Sequence, residues 1–253
     1  MKLEPSGISA GYGKASILPG IDITFNGPAF IGLLGENGSG KSTLLKVIGG
    51  LLHPLAGRIS VNGSDFLTKT YAERSRYIAY MPQAGIIDAA SLVYDYIMMG
   101  RKPFFSWKEG DEDHKIVQQI LSDLELESFA FRMTGNLSGG EQQKILLARV
   151  LAQGTPVLLL DEPTSNLDIR YQIEILTLLK ERIRKADLLV IMAIHDLNLA
   201  ARFADYFVLL KDGTIYRKGM CTETLLPECI RDVYGIEASV VELEEGTVVV
   251  PRV

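Results

Sequence analysis

Eight residues constrain this chain more than any others: Gly35-Glu36-Asn37-Gly38-Ser39-Gly40-Lys41-Ser42. They follow the unbroken apolar run Ala29–Leu34 and lead into Ser42–Gly49, which has helical character, so the local order is strand, loop, helix. Glycines let the backbone curl until successive N–H groups point inward at an anion, and a helix starting near Lys41 adds the positive end of its dipole. The spacing is G-x-x-x-x-G-K-[ST], that of a phosphate-cradling loop. Lys41 brings a mobile charge to β- and γ-phosphates, and Ser42 can place a hydroxyl on Mg²⁺. A surface glycine turn would meet the same spacing, but it would not need the strand before it and the helix after it.

The chain around this loop is ordinary in composition. Its 253 residues fit one large domain or a core with a subdomain, and 47% hydrophobic with 23% charged residues is the balance of a folded globular protein. A net charge of -5 provides no basic field to draw in a phosphate backbone, so nucleic acid is not an expected partner. No apolar run reaches the roughly 18 to 20 residues that span a bilayer. The start, Met1-Lys2-Leu3-Glu4-Pro5, lacks a secretory h-region, so the reducing cytosol is the expected compartment and Cys221 and Cys229 are expected as free thiols.

Before and after the loop, Ile21–Phe25 and Ile59–Gly63 read as strands. From about Val93 to Ala152 the pattern turns helical, with apolar residues at three- and four-residue steps in Lys115–Leu124. Then come an apolar strand (Val157–Leu160), a helix near Tyr171–Lys185, a second apolar strand (Leu188–Ile194) and a helix at Leu197–Phe203. Unbroken apolar runs of this kind are expected from buried parallel strands covered by helices. The tail, Val240–Leu243 and Thr247–Val250 around Glu244-Glu245-Gly246, reads as a hairpin. The expectation is an α/β core with an inserted helical subdomain.

The second chemical element closes the apolar strand: Val157-Leu158-Leu159-Leu160-Asp161-Glu162. Two carboxylates after an apolar run usually mean only a strand entering a solvated loop. Downstream of a phosphate loop, however, a carboxylate is needed to hold the Mg²⁺ shell, which assigns Asp161, and Glu162 can orient and deprotonate an attacking water. These are the Walker A and Walker B elements of a nucleoside triphosphatase.

Leu137-Ser138-Gly139-Gly140-Glu141-Gln142, shortly before the carboxylates, resembles the signature sequence of the ABC family. As a bare Ser-Gly-Gly it would be a helix start with Ser as cap. The resemblance covers nearly the whole chain and implies a P-loop NTPase (RecA-like) core, formed by residues 1–84 and 153–253 with an N-terminal antiparallel β subdomain, and a helical subdomain at about 85–152. It implies a homodimer in which Ser138, Gly139 and Gly140 of one subunit face the nucleotide held by Gly35, Asn37, Gly38, Ser39, Gly40, Lys41, Ser42 and Thr43 of the other. The family pattern commonly has Gln where Glu141 stands, and a carboxylate there is expected to weaken contact with the nucleotide. The remaining motifs fall into place by the same resemblance. Tyr12 matches the aromatic that stacks on adenine, and Gln83 the residue that reaches Mg²⁺ and the water. Ser165-Asn166-Leu167-Asp168 matches the loop along the dimer partner, and His195 the switch histidine on the γ-phosphate. ATP and Mg²⁺ are the implied cofactors.

Tyr94–Phe104 followed by Glu109–Asp113, His195–Arg202 and Val233-Tyr234-Gly235-Ile236 are similar to segments of ATPases serving iron-siderophore, haem and cobalamin importers. The similarity implies a peripheral protein on the inner face of the cell membrane. Its partners would be a polytopic permease docked in a groove near Gln83 and Met98–Phe105 and, indirectly, an extracytoplasmic substrate-binding protein. The competing classes are a soluble ABC-type ATPase on nucleic acid or ribosomes and an ATP-dependent assembly scaffold.

Overall fold

The computed structural model describes every residue except Lys14, Ala84, Ile86, Ser106, Asn166, Glu245 and Val253. In chain order the first half comprises β1 (Lys2–Tyr12), β2 (Ala15–Ile21), β3 (Phe25–Asn26), β4 (Ala29–Leu34), α1 (Lys41–Ile48), β5 (Ala56–Val61), β6 (Ser64–Asp65), α2 (Tyr71–Arg74) and β7 (Ile78–Met81). Then follow α3 (Val93–Met98), α4 (Asp111–Asp123), α5 (Gly139–Ala152), β8 (Val157–Asp161), α6 (Ile169–Ala186), β9 (Leu189–Ala193) and α7 (Leu197–Phe203). The chain ends with β10 (Tyr206–Lys211), β11 (Thr214–Gly219), α8 (Cys221–Thr224), α9 (Pro227–Tyr234), β12 (Ala238–Leu243) and β13 (Gly246–Pro251).

The central sheet has six strands in the order β11-β10-β4-β9-β8-β7. All neighbours are parallel except the edge strand β11, which is antiparallel to β10. Every residue of β8 and β9 is buried, the reason for their unbroken apolar runs. Alternate residues serve different cores. Leu158, Leu160, Val190 and Met192 pack with α5 and α6, whereas Val157, Leu159, Leu189 and Ile191 pack with α1 and the N-terminal sheet. That sheet is antiparallel, ordered β2-β1-β5-β6 with β3 also on β1. Its strand β1 buries alternate residues such as Leu3, Pro5, Ile8 and Ala10, the pattern of a sheet with one covered face.

Among the described residues between β7 and β8 there is no strand, only helices and a single isolated bridge between Leu92 and Met133. A buried ion pair anchors this region: Arg101 Nε donates to Asp113 Oδ1 at 2.8 Å, and its Nη1 reaches the Ala152 and Gln153 carbonyls at 3.0 and 3.1 Å. The cation thereby ties the end of α3 and the start of α4 to the end of α5. The tail forms the expected two-stranded hairpin, although Glu245 at its turn lies outside the described residues.

One expected strand is interrupted. Ile21 ends β2 and Phe25 begins β3: both pair with β1 and the Ile23 amide still bonds the Pro5 carbonyl, but the Asp22 carboxylate takes the Gly7 amide at 2.8 Å, and the register slips by one residue between them. Cys221 and Cys229 are free thiols, the latter fully buried. Among the described residues no helix is long and apolar enough to cross a membrane.

Candidate nucleotide-binding site

The parallel strands β4, β8 and β9 all finish at one edge of the sheet, and the chain that leaves each of them carries a candidate residue: Gly35, Glu162 and His195. Ligands gather outside the carboxyl ends of such strands because loops there are free to vary while the sheet holds their origins rigid.

The loop from Gly35 to Gly40 depends on glycine in a physical sense. Gly38 and Gly40 have φ of 83° and 100°, a region that side chains with a Cβ avoid. At Gly35 a Cβ would also lie 2.3 Å from the Leu210 carbonyl oxygen. Gly40 caps α1 without any side-chain hydrogen bond, so the first amides of the helix have no local acceptor. Ser39 Oγ is buried with no partner among the described residues. Unsatisfied buried donors at a helix N-terminus fit an anion. Lys41 Nζ is folded back onto the Gly35 and Glu36 carbonyls at 2.7 and 2.9 Å, and burial lowers its pKa against the pull of Glu162, Asp161 and Glu36. Asn37 is exposed at the loop tip, and Thr43 is buried in the first turn of α1.

The carboxylates meet the loop as the motifs required. Ser42 Oγ donates to Asp161 Oδ1 at 2.9 Å, and the Tyr80 hydroxyl donates to Oδ2 at 3.2 Å. Burial nevertheless holds the Asp161 carboxyl above the usual carboxylate range, with the neighbouring Glu162 charge acting in the same direction. Glu162 itself has φ of 53°, a left-handed conformation uncommon for a residue with a side chain. Its side chain is held at both oxygens: Gln83 Nε2 donates to Oε2 at 2.6 Å, and His195 Nε2 contacts Oε1. Strain and a doubly held carboxylate in a buried position mark a group placed for chemistry rather than for packing. Ser42 with Asp161, and Gln83 nearby through Glu162, form the oxygen-rich set that a hard cation prefers.

Tyr12 ends β1 half-exposed, with Lys46 Nζ 6.0 Å from its ring centre. Asp168 caps α6 by accepting the Tyr171 amide at 3.1 Å, while Asn166 in the same run lies outside the described residues.

Ser138, Gly139 and Gly140 are not brought to this cluster. Among the described residues no hydrogen bond joins them to residues 35–43; Ser138 instead caps α5 in a capping box. Its amide and hydroxyl both donate to Glu141 Oε2 at 2.7 Å, so this carboxylate is engaged within its own helix start. Among the described residues no close contact requires glycine at either position. A Cβ at Gly139 would meet nothing within 4 Å, and one at Gly140 would meet only Leu167 Cδ2, at an ordinary 3.5 Å.

A groove of about 590 Å³ separates the helical region from the sheet, lined among others by Leu51, Tyr71, Tyr80, Pro82, Met99 and Pro103. The expected Met98–Phe105 lining is only partly met. Met98 is buried, and Phe104 stacks against Arg101, 4.4 Å from its ring centre.

Two residues of the site were missed in the sequence. Tyr80, the polar member of an otherwise apolar strand, was visible there as an oddity; Tyr234, which accepts the Gly35 amide at 2.9 Å, stood out only within the family-like segment Val233–Ile236, with nothing to link it to the loop.

A model of the family described as ABC transporter matches residues 18–165. The chain belongs to this family. Among ABC proteins it is 39% identical over 251 residues to an uncharacterized ABC transporter ATP-binding protein of Methanocaldococcus jannaschii, covering 99% of this chain and 98% of the relative. It is 37% identical over 259 residues to the hemin import ATP-binding protein HmuV of Bordetella avium, covering 99% of each. A metal-chelate type ABC transporter solved in an inward-facing conformation superposes with a TM-score of 0.84 at 28% identity, over 99% of this chain and 97% of the other. The dimeric structure of a bacterial ABC transporter cassette superposes with a TM-score of 0.79 at 28% identity, over 86% of this chain and 98% of the other. The ABC ATPase fold, with its sheet-end site, is thus the fold of this chain.

Proposed function

We propose that this chain is the ATP-binding and ATP-hydrolysing subunit of an importer of metal chelates, of the iron-siderophore, haem or cobalamin class, acting as a homodimer beneath a membrane permease. The observation that carries the ATPase reading is the convergence of Ser42, Gln83 and His195 on the buried carboxylates Asp161 and Glu162 beside a loop of unsatisfied donors.

In this reading Tyr12 stacks on adenine. Gly35, Asn37, Gly38, Ser39, Gly40, Lys41, Ser42 and Thr43 hold the phosphates, with Lys41 leaving its carbonyl partners to do so. Ser42, Asp161 and Gln83 would hold Mg²⁺, which when bound neutralises phosphate charge. Glu162 takes the proton of the attacking water onto a carboxylate oxygen, and Gln83 and His195 keep that carboxylate aimed. His195, half-exposed, is free to swing to the γ-phosphate side.

The bare glycines at the start of α5 support a second copy as the missing neighbour: Ser138, Gly139 and Gly140 of one subunit close over the phosphates of the other, with Asp168 along the same seam. Residues at about 85–152 act as a helical subdomain, and the groove beside Gln83 receives a cytoplasmic helix of the permease on Tyr71 and Met99. In this reading the protein works on the inner face of the cell membrane, and an extracytoplasmic binding protein supplies the cargo. The relatives named for hemin import and metal-chelate transport support the class of cargo.

Mixing two variants tests the dimer. Ser138→Arg and Lys41→Ala should each fail to dimerise with MgATP, whereas a mixture forms dimers through the one site that is intact. No recovery on mixing would refute closure in trans. Recovery of ribosomes rather than a polytopic protein from membrane extracts would refute the transport reading.

A further inference from the structure

The phosphate loop is held by a residue outside its own strand and helix. The parallel ladder between β4 and β10 ends at Leu34 and Leu209, so the Gly35 amide is the first one past the ladder. Its acceptor is the Tyr234 hydroxyl at 2.9 Å, 199 residues away in the chain. Tyr234 closes α9, whose Cys229, Ile230 and Val233 are buried. Burial pushes the Tyr234 hydroxyl up to about 12, so the phenol stays protonated and neutral around physiological pH. On its other side a Cβ at Gly35 would lie 2.3 Å from the Leu210 carbonyl oxygen and 2.6 Å from Ser39 Oγ, so only a glycine backbone fits beside them.

The same C-terminal segment grips the opposite wall of the site. The Val249 amide of β13 donates to Asn198 Oδ1 at 2.7 Å, and Asn198 Nδ2 returns a bond to the Val249 carbonyl at 3.3 Å. Asn198 lies in the first turn of α7, directly after the His195 turn.

We propose that Tyr234 is a positioning residue of the nucleotide site, and that α9 with the β12–β13 hairpin forms a brace joining the phosphate loop to the His195 turn. The inference rests on the reading of residues 35–43 as the nucleotide site. Aiming the Gly35 peptide aims the N–H groups that follow it, and these serve the bound nucleotide equally before and during the reaction. Loss of the hydroxyl therefore weakens binding and leaves the chemical step alone.

Tyr234→Phe in the full chain keeps the ring and removes the acceptor. Titration calorimetry with MgADP should give a Kd about fivefold higher, the factor that one net hydrogen bond supplies. The KM for ATP should rise in step while kcat stays within about twofold. In amide-exchange spectra Gly35 should lose protection while the interiors of β4 and α1 keep theirs. An unchanged Kd, a fall in kcat at constant KM, or a general loss of protection through β4 and α1 would each overturn the proposal. Lys41→Ala serves as the control. If it bound MgADP like the wild type, the reading of the loop itself would fail, a result distinct from failure of the Tyr234 inference.

Discussion

Replacing Asp161 with Asn should stabilise the bare protein and at the same time blind it to MgATP. Asp161 is 2% exposed and accepts hydrogen bonds from Ser42 and Tyr80, yet burial keeps its carboxyl above the ordinary range. Its charged form is therefore better solvated in the unfolded chain than in the folded one, and at neutral pH the charge is a net cost to the fold. Asn has the same shape; its oxygen accepts one hydroxyl and its amide donates to the other once that O–H rotates. A gain of about 1 kcal/mol is expected, raising Tm by about 2–4 °C. The sign with pH follows from proton counting. Between the ordinary and the raised pKa the folded state holds more protons, so the wild-type penalty is complete above the folded value and fades as pH falls towards the ordinary carboxylate range. The variant's advantage should accordingly be largest in mildly alkaline buffer and shrink on acidification. Nucleotide reverses the order: at a hundredfold excess over Kd the wild type gains about 2.7 kcal/mol, whereas the variant, without its metal carboxylate, gains little. Scanning calorimetry of both proteins across pH, with and without MgATP, reads every term. A bare variant less stable than the wild type refutes the burial argument, and equal stabilisation by MgATP refutes the metal assignment.

Glu162→Gln should lower steady-state phosphate release at least a hundredfold, the lower end of what a positioned base contributes, while ATP-loaded dimers accumulate on size-exclusion chromatography. Turnover within tenfold of the wild type would remove Glu162 from the base role. Gly139→Ala should leave the bare chain as stable or up to about 0.5 kcal/mol more stable, since the Cβ meets nothing, and yet weaken ATP-driven dimerisation by tenfold or more. Asp113→Ala should cost about 3–5 kcal/mol in urea unfolding because it strands the buried Arg101 cation, and adding Arg101→Met should recover much of that loss.

The features legible in the sequence are those whose physical requirement is local. The phosphate loop needs glycines at positive φ and a helix directly behind them, a covered parallel strand needs an unbroken apolar run, and α5 needs a cap at Ser138. Each requirement falls within a few residues, so Gly35–Thr43, β8, β9 and α7 could be placed from composition and spacing alone. The span Ile21–Phe25 misled because its alternation is that of a strand, while the Asp22 bond to Gly7, where the ladder is interrupted, joins residues far apart in sequence.

Tertiary structure alone decided which distant groups share a hydrogen bond. Tyr80 on Asp161, Tyr234 on Gly35 and Arg101 on Asp113 follow no sequence period, because the sheet order that brings β7 beside β8, and α9 beneath the end of β4, is set by burial on both faces rather than by any one segment. Folding also keeps Ser138 and Gly139 away from residues 35–43 of the same chain. They open a helix that packs on the face of the sheet opposite to α1, a placement that burial of α5 against β7 and β8 decides and no local pattern does.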